Sequence, residues 1–376
     1  METNMKRREL ILAVAICCIL PELTPAFAGS TLPADAFQAI IERAANSGTP
    51  AMVARVETAD GESWTGAAGV TSIGGDAAAP ENLFRLFSIT KTIVAATAFT
   101  LVDEGRLGLD DPISRWLDAR LIGDLPNGDV VTVRQLIAQT SGIRDYDDDG
   151  FIAMNRQDMT RTWAPAELVA HAADGQPFAP PGDAVSYYSN TNYTLLGLII
   201  EQVTGMSLAD AVHARVITPL GARNTYFWEE ADRPATVAGY SDEGGVLLDV
   251  SALDPSLIWA AGDLLSTAED TARLMRGILA GDLLSAESRA LMTTNFRPLA
   301  GRPIEYGYGS FRAPQWTPAP IGHSGEGPGG DAIAMWWPDD GTVVVVLTNL
   351  ENGAHVQAFG KIAAILGKHG STATGH

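Results

Sequence analysis

The stretch Thr342-Val-Val-Val-Val-Leu-Thr348 leaves a folding chain few options. Five β-branched residues in a row, Thr342 and four valines, favour extended backbone, and no polar residue alternates with the valines. A strand with one wet face reads apolar-polar; this one must be covered on both faces. The apolar residues 332–337 precede it across the turn 338–341, which predicts a hairpin. A second hairpin is predicted near the other end, where residues 51–57 and 62–70 flank Asp60-Gly61. Helical patterns occupy 34–45, 133–139, 166–173, 193–203, 208–216 and 354–366. In a further one, 88–104, Ile93, Ala96, Phe99 and Val102 fall near one face and Gly105 stops the helix. Strands at both ends with helices between them predict an α/β (α+β) fold. Its sheet is mixed and mainly antiparallel, built from the N- and C-terminal segments and flanked by helices, with an inserted helical domain. The boundaries drawn from this pattern are 29–83 with 250–368 for the sheet domain, 84–249 for the mainly helical one, and a disordered tail at 369–376. A cleft at their junction is the expected place for chemistry.

Residues 1–28 read as an export signal: Lys6, Arg7 and Arg8, an apolar core over 10–20, and Ala26-Phe27-Ala28 as a cleavage pattern. That apolar core is too short to span a bilayer, so no stable membrane anchor is expected, and the mature protein is expected to be periplasmic or secreted. Both cysteines, Cys17 and Cys18, would leave with the signal, removing disulfides and thiol chemistry from consideration. The net charge of −20 argues against nucleic acid and anionic membranes as partners.

Gly322-His323-Ser324 has the front half of a hydrolase nucleophile elbow. The turn also needs glycine two residues after the serine, where Glu326 stands, and it should lead into a helix rather than a strand. Ser324 is therefore not read as the nucleophile. Ser88 is a better one, because Lys91 follows it by three residues at a helix start, which puts both on one face. A serine hydroxyl needs a base, and a desolvated amine can serve as one. The helix N-terminus favours the developing anion, and the Ser88 amide is a natural oxyanion donor. Tyr188-Ser189-Asn190 leads into another helix; a phenol beside a cation can shuttle protons, and an amide can hold a carbonyl or the lysine.

In this order, Ser88-Ile-Thr-Lys91, Tyr188-Ser-Asn190 and His323-Ser-Gly325 resemble the motifs of the serine penicillin-recognising family. That family includes D-alanyl-D-alanine carboxypeptidases, class C β-lactamases and related esterases and D-aminopeptidases. Stretches such as "VTVRQLIAQTSGI", "PLGARNTYF" and "AAGDLLSTAEDTARLM" extend the likeness over most of the chain. The resemblance implies that Ser88 forms an acyl-enzyme, while Lys91 and Tyr188 share base and acid duty. It implies that Asn190 orients substrate and that His323, Ser324 and Gly325 line the cleft as an edge strand. The amides of Ser88 and Glu326 would form the oxyanion hole. No cofactor or metal is implied. Substrates would be small peptides, esters or β-lactams, with D-alanyl-D-alanine carboxypeptidase-like action on D-amino-acid peptides expected first. A β-lactamase or carboxylesterase is the alternative, and a penicillin-binding sensor without turnover a remoter one. The chain departs from many members in having His323 where they have lysine. Histidine titrates near neutrality, so its help to a substrate carboxylate would depend on pH, with Arg312 a source of permanent charge.

Asp145 to Gly150 carries the first half of an EF-hand loop, but position 12 is Arg156, so it is read as a solvated acidic loop at the cleft rim. His171, His213, His355 and His369 are scattered without metal-ligand spacing.

Overall fold

The computed structural model of the chain describes residues 32–173, 176–230 and 236–370. The expected signal segment, 1–28, lies outside them, as do residues 371–376 of the expected tail. The tail's first two residues are not disordered: His369–Gly370 pair with Trp316–Thr317.

Eight strands form the main sheet: β1 (Ala51–Glu57), β2 (Ser63–Gly69), β3 (Arg297–Pro298), β4 (Glu305–Tyr306), β5 (Phe311–Arg312), β6 (Ile321–Gly327), β7 (Gly330–Trp336) and β8 (Val343–Thr348). Their order is β2-β1-β8-β7-β6-β5-β4-β3, and every ladder is antiparallel. The two ends of the chain meet where β1 pairs with β8, from Met52↔Thr348 to Glu57↔Val343. The valine run is covered on both sides. Val344 and Val346 pack with Phe37 and Ile41 of α1 (Ala34–Asn46), while Val343 and Val345 face the opposite cluster. Each such valine contributes roughly 1.5–3 kcal/mol by leaving water.

Helix α2 (Ile89–Asp103) was expected to show one apolar face; it is buried almost all round, because helices wrap it on every side but the sheet's. Among its neighbours are α3 (Asn190–Thr204) and α4 (Ala268–Leu279), and α4 also covers the sheet. Helix α5 (Ala354–Ile365) lies with α1 on the other face. One apolar cluster joins the helices of 84–249 to a face of the sheet. A small sheet of Phe84–Arg85, Leu264–Ser266 and Thr225–Phe227 crosses the same boundary. From Leu32 onward the described chain packs as one unit. Among the described residues no single helix is long and apolar enough to cross a membrane.

Candidate active site

Ser88 stands at the N-terminus of α2, yet its hydroxyl does not cap the helix. It faces Lys91 instead, whose Nζ lies 3.0 Å from Ser88 Oγ. Lys91 is fully buried, and its Nζ also meets Asn190 Oδ1 at 2.7 Å and the Ala261 carbonyl at 2.9 Å. Three acceptors thus match the three donors of an ammonium. Burial pushes this lysine down to about 7, while the Asp145 and Asp147 carboxylates pull it back up. An amine tuned this way is half neutral at neutral pH and able to accept a serine proton.

Asn190 is held by Asp145, which accepts from the Asn190 backbone N–H at 3.0 Å and from Nδ2 at 3.4 Å. Burial, with the neighbouring Asp147, raises the Asp145 carboxyl to about 7. The loop read as a solvated rim therefore carries two carboxylates into the site: Asp147 is also raised, again mainly by burial. Tyr188 lies under the same amine, with Nζ 4.8 Å from its ring centre. Burial holds the phenol well above its usual range; the nearby Tyr306 adds to this and a hydrogen bond with the Ser88 side chain opposes it. It stays a neutral donor.

Strand β6 forms the wall opposite. Its turn to β7 holds only Pro328 and Gly329, with Gly329 at φ +100°. Gly327 and Gly330 then exchange backbone bonds, so Gly325 points at β7 and the amides of Ser324 and Glu326 point at the other edge. That edge is open here, since β5 pairs with β6 only at Gly322 and Ile321. Gly325 lets the strand close on the nucleophile: a Cβ there would lie 2.3 Å from the Leu86 carbonyl oxygen and 2.7 Å from the Ser88 amide nitrogen. Phe87, for which the missing side chains of Gly325 and Gly327 leave room, has φ +45°, a torsion rarely adopted outside glycine. Gln139 (φ +59°) and Trp259 (φ +27°) are similarly placed in left-handed backbone. Gln139 Oε1 accepts from the Ser189 amide, and Trp259 opens the turn that presents the Ala261 carbonyl.

His323 corrects an expectation. It is 2% exposed, packed against Phe311, Tyr306 and Tyr188. Its Nδ1–H donates to the Ser324 carbonyl at 2.5 Å. Burial, with Lys91 nearby, lowers its pKa to about 3, so it is neutral at every physiological pH and supplies no titrating cation. Arg312 does not supply the charge either: it is paired with Glu305, Nε to Oε2 at 2.7 Å. A permanent cation at the site is Arg302, which lines a cavity of about 210 Å³ with Ser88, Tyr188, Asn190 and His323. Its guanidinium carbon lies 5.8 Å from the Tyr188 ring centre. The structure thus brings Ser88, Lys91, Tyr188, Asn190, His323, Ser324, Gly325 and Glu326 to one cleft. It adds Asp145, Asp147, Arg302 and the Ala261 carbonyl, none marked by spacing in the sequence. A second lobe of the cleft, about 440 Å³, opens past Ser88 and Asn190 towards Asp147, Ile152, Leu253 and Leu257.

The β-lactamase family model matches residues 37–366. The structure of a D-stereospecific amidohydrolase from Streptomyces sp. superposes with a TM-score of 0.78, at 32% identity, over 88% of this chain and 98% of that one. Penicillin-binding protein 4* of Bacillus subtilis is 28% identical over 72% of this chain and 61% of its own length. A D-aminopeptidase of Cereibacter sphaeroides is 28% identical over 66% of this chain and 48% of its own. The chain thus spans between about half and three fifths of the length of these two relatives.

Proposed function

The chain belongs to the β-lactamase family and is a serine hydrolase of that fold; from this premise we propose that it cleaves amides or peptides of D-amino acids carrying a free amino group. The observation that carries this reading is the buried Lys91 amine, 3.0 Å from Ser88 Oγ, in the floor of a cleft with acidic walls. Ser88 attacks the scissile carbonyl and Lys91 takes its proton. The amides of Ser88 and Glu326 receive the oxyanion. Tyr188, kept protonated by burial, donates to the departing nitrogen, and water then releases the acyl group from Ser88.

Charge selects the substrate. The larger lobe carries Asp147, Asp242, Glu243, Glu326 and Glu351 against Arg85 and Arg156. Arg85 is engaged by the carbonyls of Ser251 and Leu253. A substrate ammonium suits this wall and a second carboxylate does not. Apolar Ile152, Leu253 and Leu257 beyond it suit a hydrophobic side chain. The D configuration rests on the similarity to the Streptomyces amidohydrolase and the D-aminopeptidase. D-Ala-D-Ala carboxypeptidase action is a second reading, favoured by Arg302 on the leaving-group side.

Purified protein should hydrolyse D-phenylalanine amide faster than its L form and faster than N-acetyl-D-phenylalanine amide. Ser88→Ala should abolish turnover, a loss of at least about 10⁴-fold. Equal rates on free and acetylated amines would refute the ammonium reading, and faster release of D-alanine from an acylated D-Ala-D-Ala peptide would establish the second one. Export is proposed from the signal-like residues 1–28 and tested by N-terminal sequencing of protein from cell fractions.

A further inference from the structure

Next to the catalytic cavity, with which it shares Arg302, Ile304, Phe311, Ser324 and Glu326, a cavity of about 430 Å³ lies between the sheet and α5. Side chains alternate along a strand. Ile321 belongs to the cluster around α2, so Ser324 and Glu326 send their side chains to the opposite face. Ile333 and Met335 of β7 pack on that same face, which places Asp331 there too. We propose that this cavity is a second ligand site, for an organic ammonium: a primary amine on a compact apolar body.

The apolar part is formed by Phe311, Ile333, Met335 and Phe359. The polar end contains groups that a closed interior does not leave idle. Asp331 and His355 are each 1% exposed, yet Asp331 Oδ1 has no hydrogen-bond partner and His355 Nε2 has only a distant carboxylate. The other Asp331 oxygen is used, accepting from the Asn352 and Gly353 amides at 3.0 Å each. His355 Nδ1 lies 3.1 Å from Asp331 Oδ2, and its Nε2 lies 3.8 Å from Glu326 Oε1. Gln315 Oε1, also on the lining, is unpartnered as well. Buried polar groups are costly to leave without partners, so such a group in a native fold points to an occupant. The idle atoms are chiefly acceptors, and the lining adds the carboxylates of Asp242, Glu326 and Glu351 against one cation, Arg302. An ammonium offers three donors to such a set. A bare metal ion does not fit: among the described residues no His, Cys, Asp and Glu group has the geometry to hold one. The apolar floor would then cover the body of the amine. Glu326 joins this site to catalysis, because it lines this cavity and both lobes of the catalytic cleft.

The test is calorimetric titration of full-length Ser88→Ala protein with 2-phenylethylamine, against 2-phenylethanol as the uncharged isostere. The amine should bind at least tenfold more tightly than the alcohol. Val356→Trp, at a partly exposed α5 position on the lining, should abolish binding by filling the cavity. Asp331→Asn, which keeps an acceptor for the two amides, should weaken binding at least tenfold. Asp147→Asn, in the catalytic cleft, should leave affinity unchanged. Amine and alcohol binding alike, or no binding at all, would overturn the proposal. So would affinity that survives Val356→Trp but is lost with Asp147→Asn, which would put the amine in the catalytic cleft. None of these outcomes depends on which amide the enzyme cleaves.

Discussion

Replacing Asp145 with asparagine removes a negative charge from beside the proposed base while keeping the side chain's shape. Asn190 stands between the two groups, its Oδ1 2.7 Å from Lys91 Nζ and its Nδ2 3.4 Å from Asp145 Oδ2. Two hydrogen bonds across an amide separate the charges by about 7 Å, and at an effective dielectric near 20 their attraction is ~2 kcal/mol. Asp145 is itself raised to about 7, so only part of its charge is present where Lys91 titrates, and the net effect is about one pH unit. The sign follows from the chemistry. Lys91 must be neutral to accept the serine proton, so kcat/KM rises with pH through the lysine's value, about 7 in the wild type. Losing a carboxylate that favours the ammonium lowers that value, and the acid limb should move to near pH 6, by about one unit. The profile should also simplify to a single ionisation, since two groups no longer share protons. The assay is kcat/KM against pH on a chromogenic D-aminoacyl anilide, read at the midpoint of the limb rather than at its height. A limb that stays in place or moves upward would show that Asp145 does not govern the base.

Tyr188→Phe should slow amide cleavage by about 10²–10⁴-fold. Esters with good leaving groups should be affected far less, and equal losses on both would remove the phenol from leaving-group protonation. Gly325→Ala puts a methyl 2.3 Å from the Leu86 carbonyl oxygen, so β6 must retreat from Ser88. Loss of an aligned oxyanion donor should cost about 10²–10³ in kcat, and an unchanged kcat would sink this role for the strand. Ile93→Ala, in the fully buried middle of α2, should cost about 2–5 kcal/mol in chemical denaturation, and a smaller loss would mean that the surrounding helices collapse onto the site.

The sheet's two hairpins, β1-β2 and β7-β8, were legible because their signals are local: a valine run and two turns, with helices that have clear stops. Ser88 and Lys91 were legible for the same reason, being one helical turn apart. Asp145 and Asp147 were not, because a run of acids in a Gly-ended loop has the composition of a solvated segment whichever way it faces. Their importance comes from α3, which delivers Asn190 onto Asp145 from 45 positions away. His323 was misjudged because its protonation depends on Tyr306 and Phe311, carried by two-residue strands with no pattern to read. Arg302 and Arg312 have the same chemistry in sequence; only the pairing of Arg312 with Glu305 separates them.

The torsion at Phe87 bears on when Ser88 becomes competent during synthesis. Gly325 and Gly327, which lie against Phe87, come from a strand far along the chain from it. A half-made chain would therefore have a relaxed entrance to α2 and a serine no more reactive than any other. Arming is deferred until β6 docks, and copies truncated before it should be inactive.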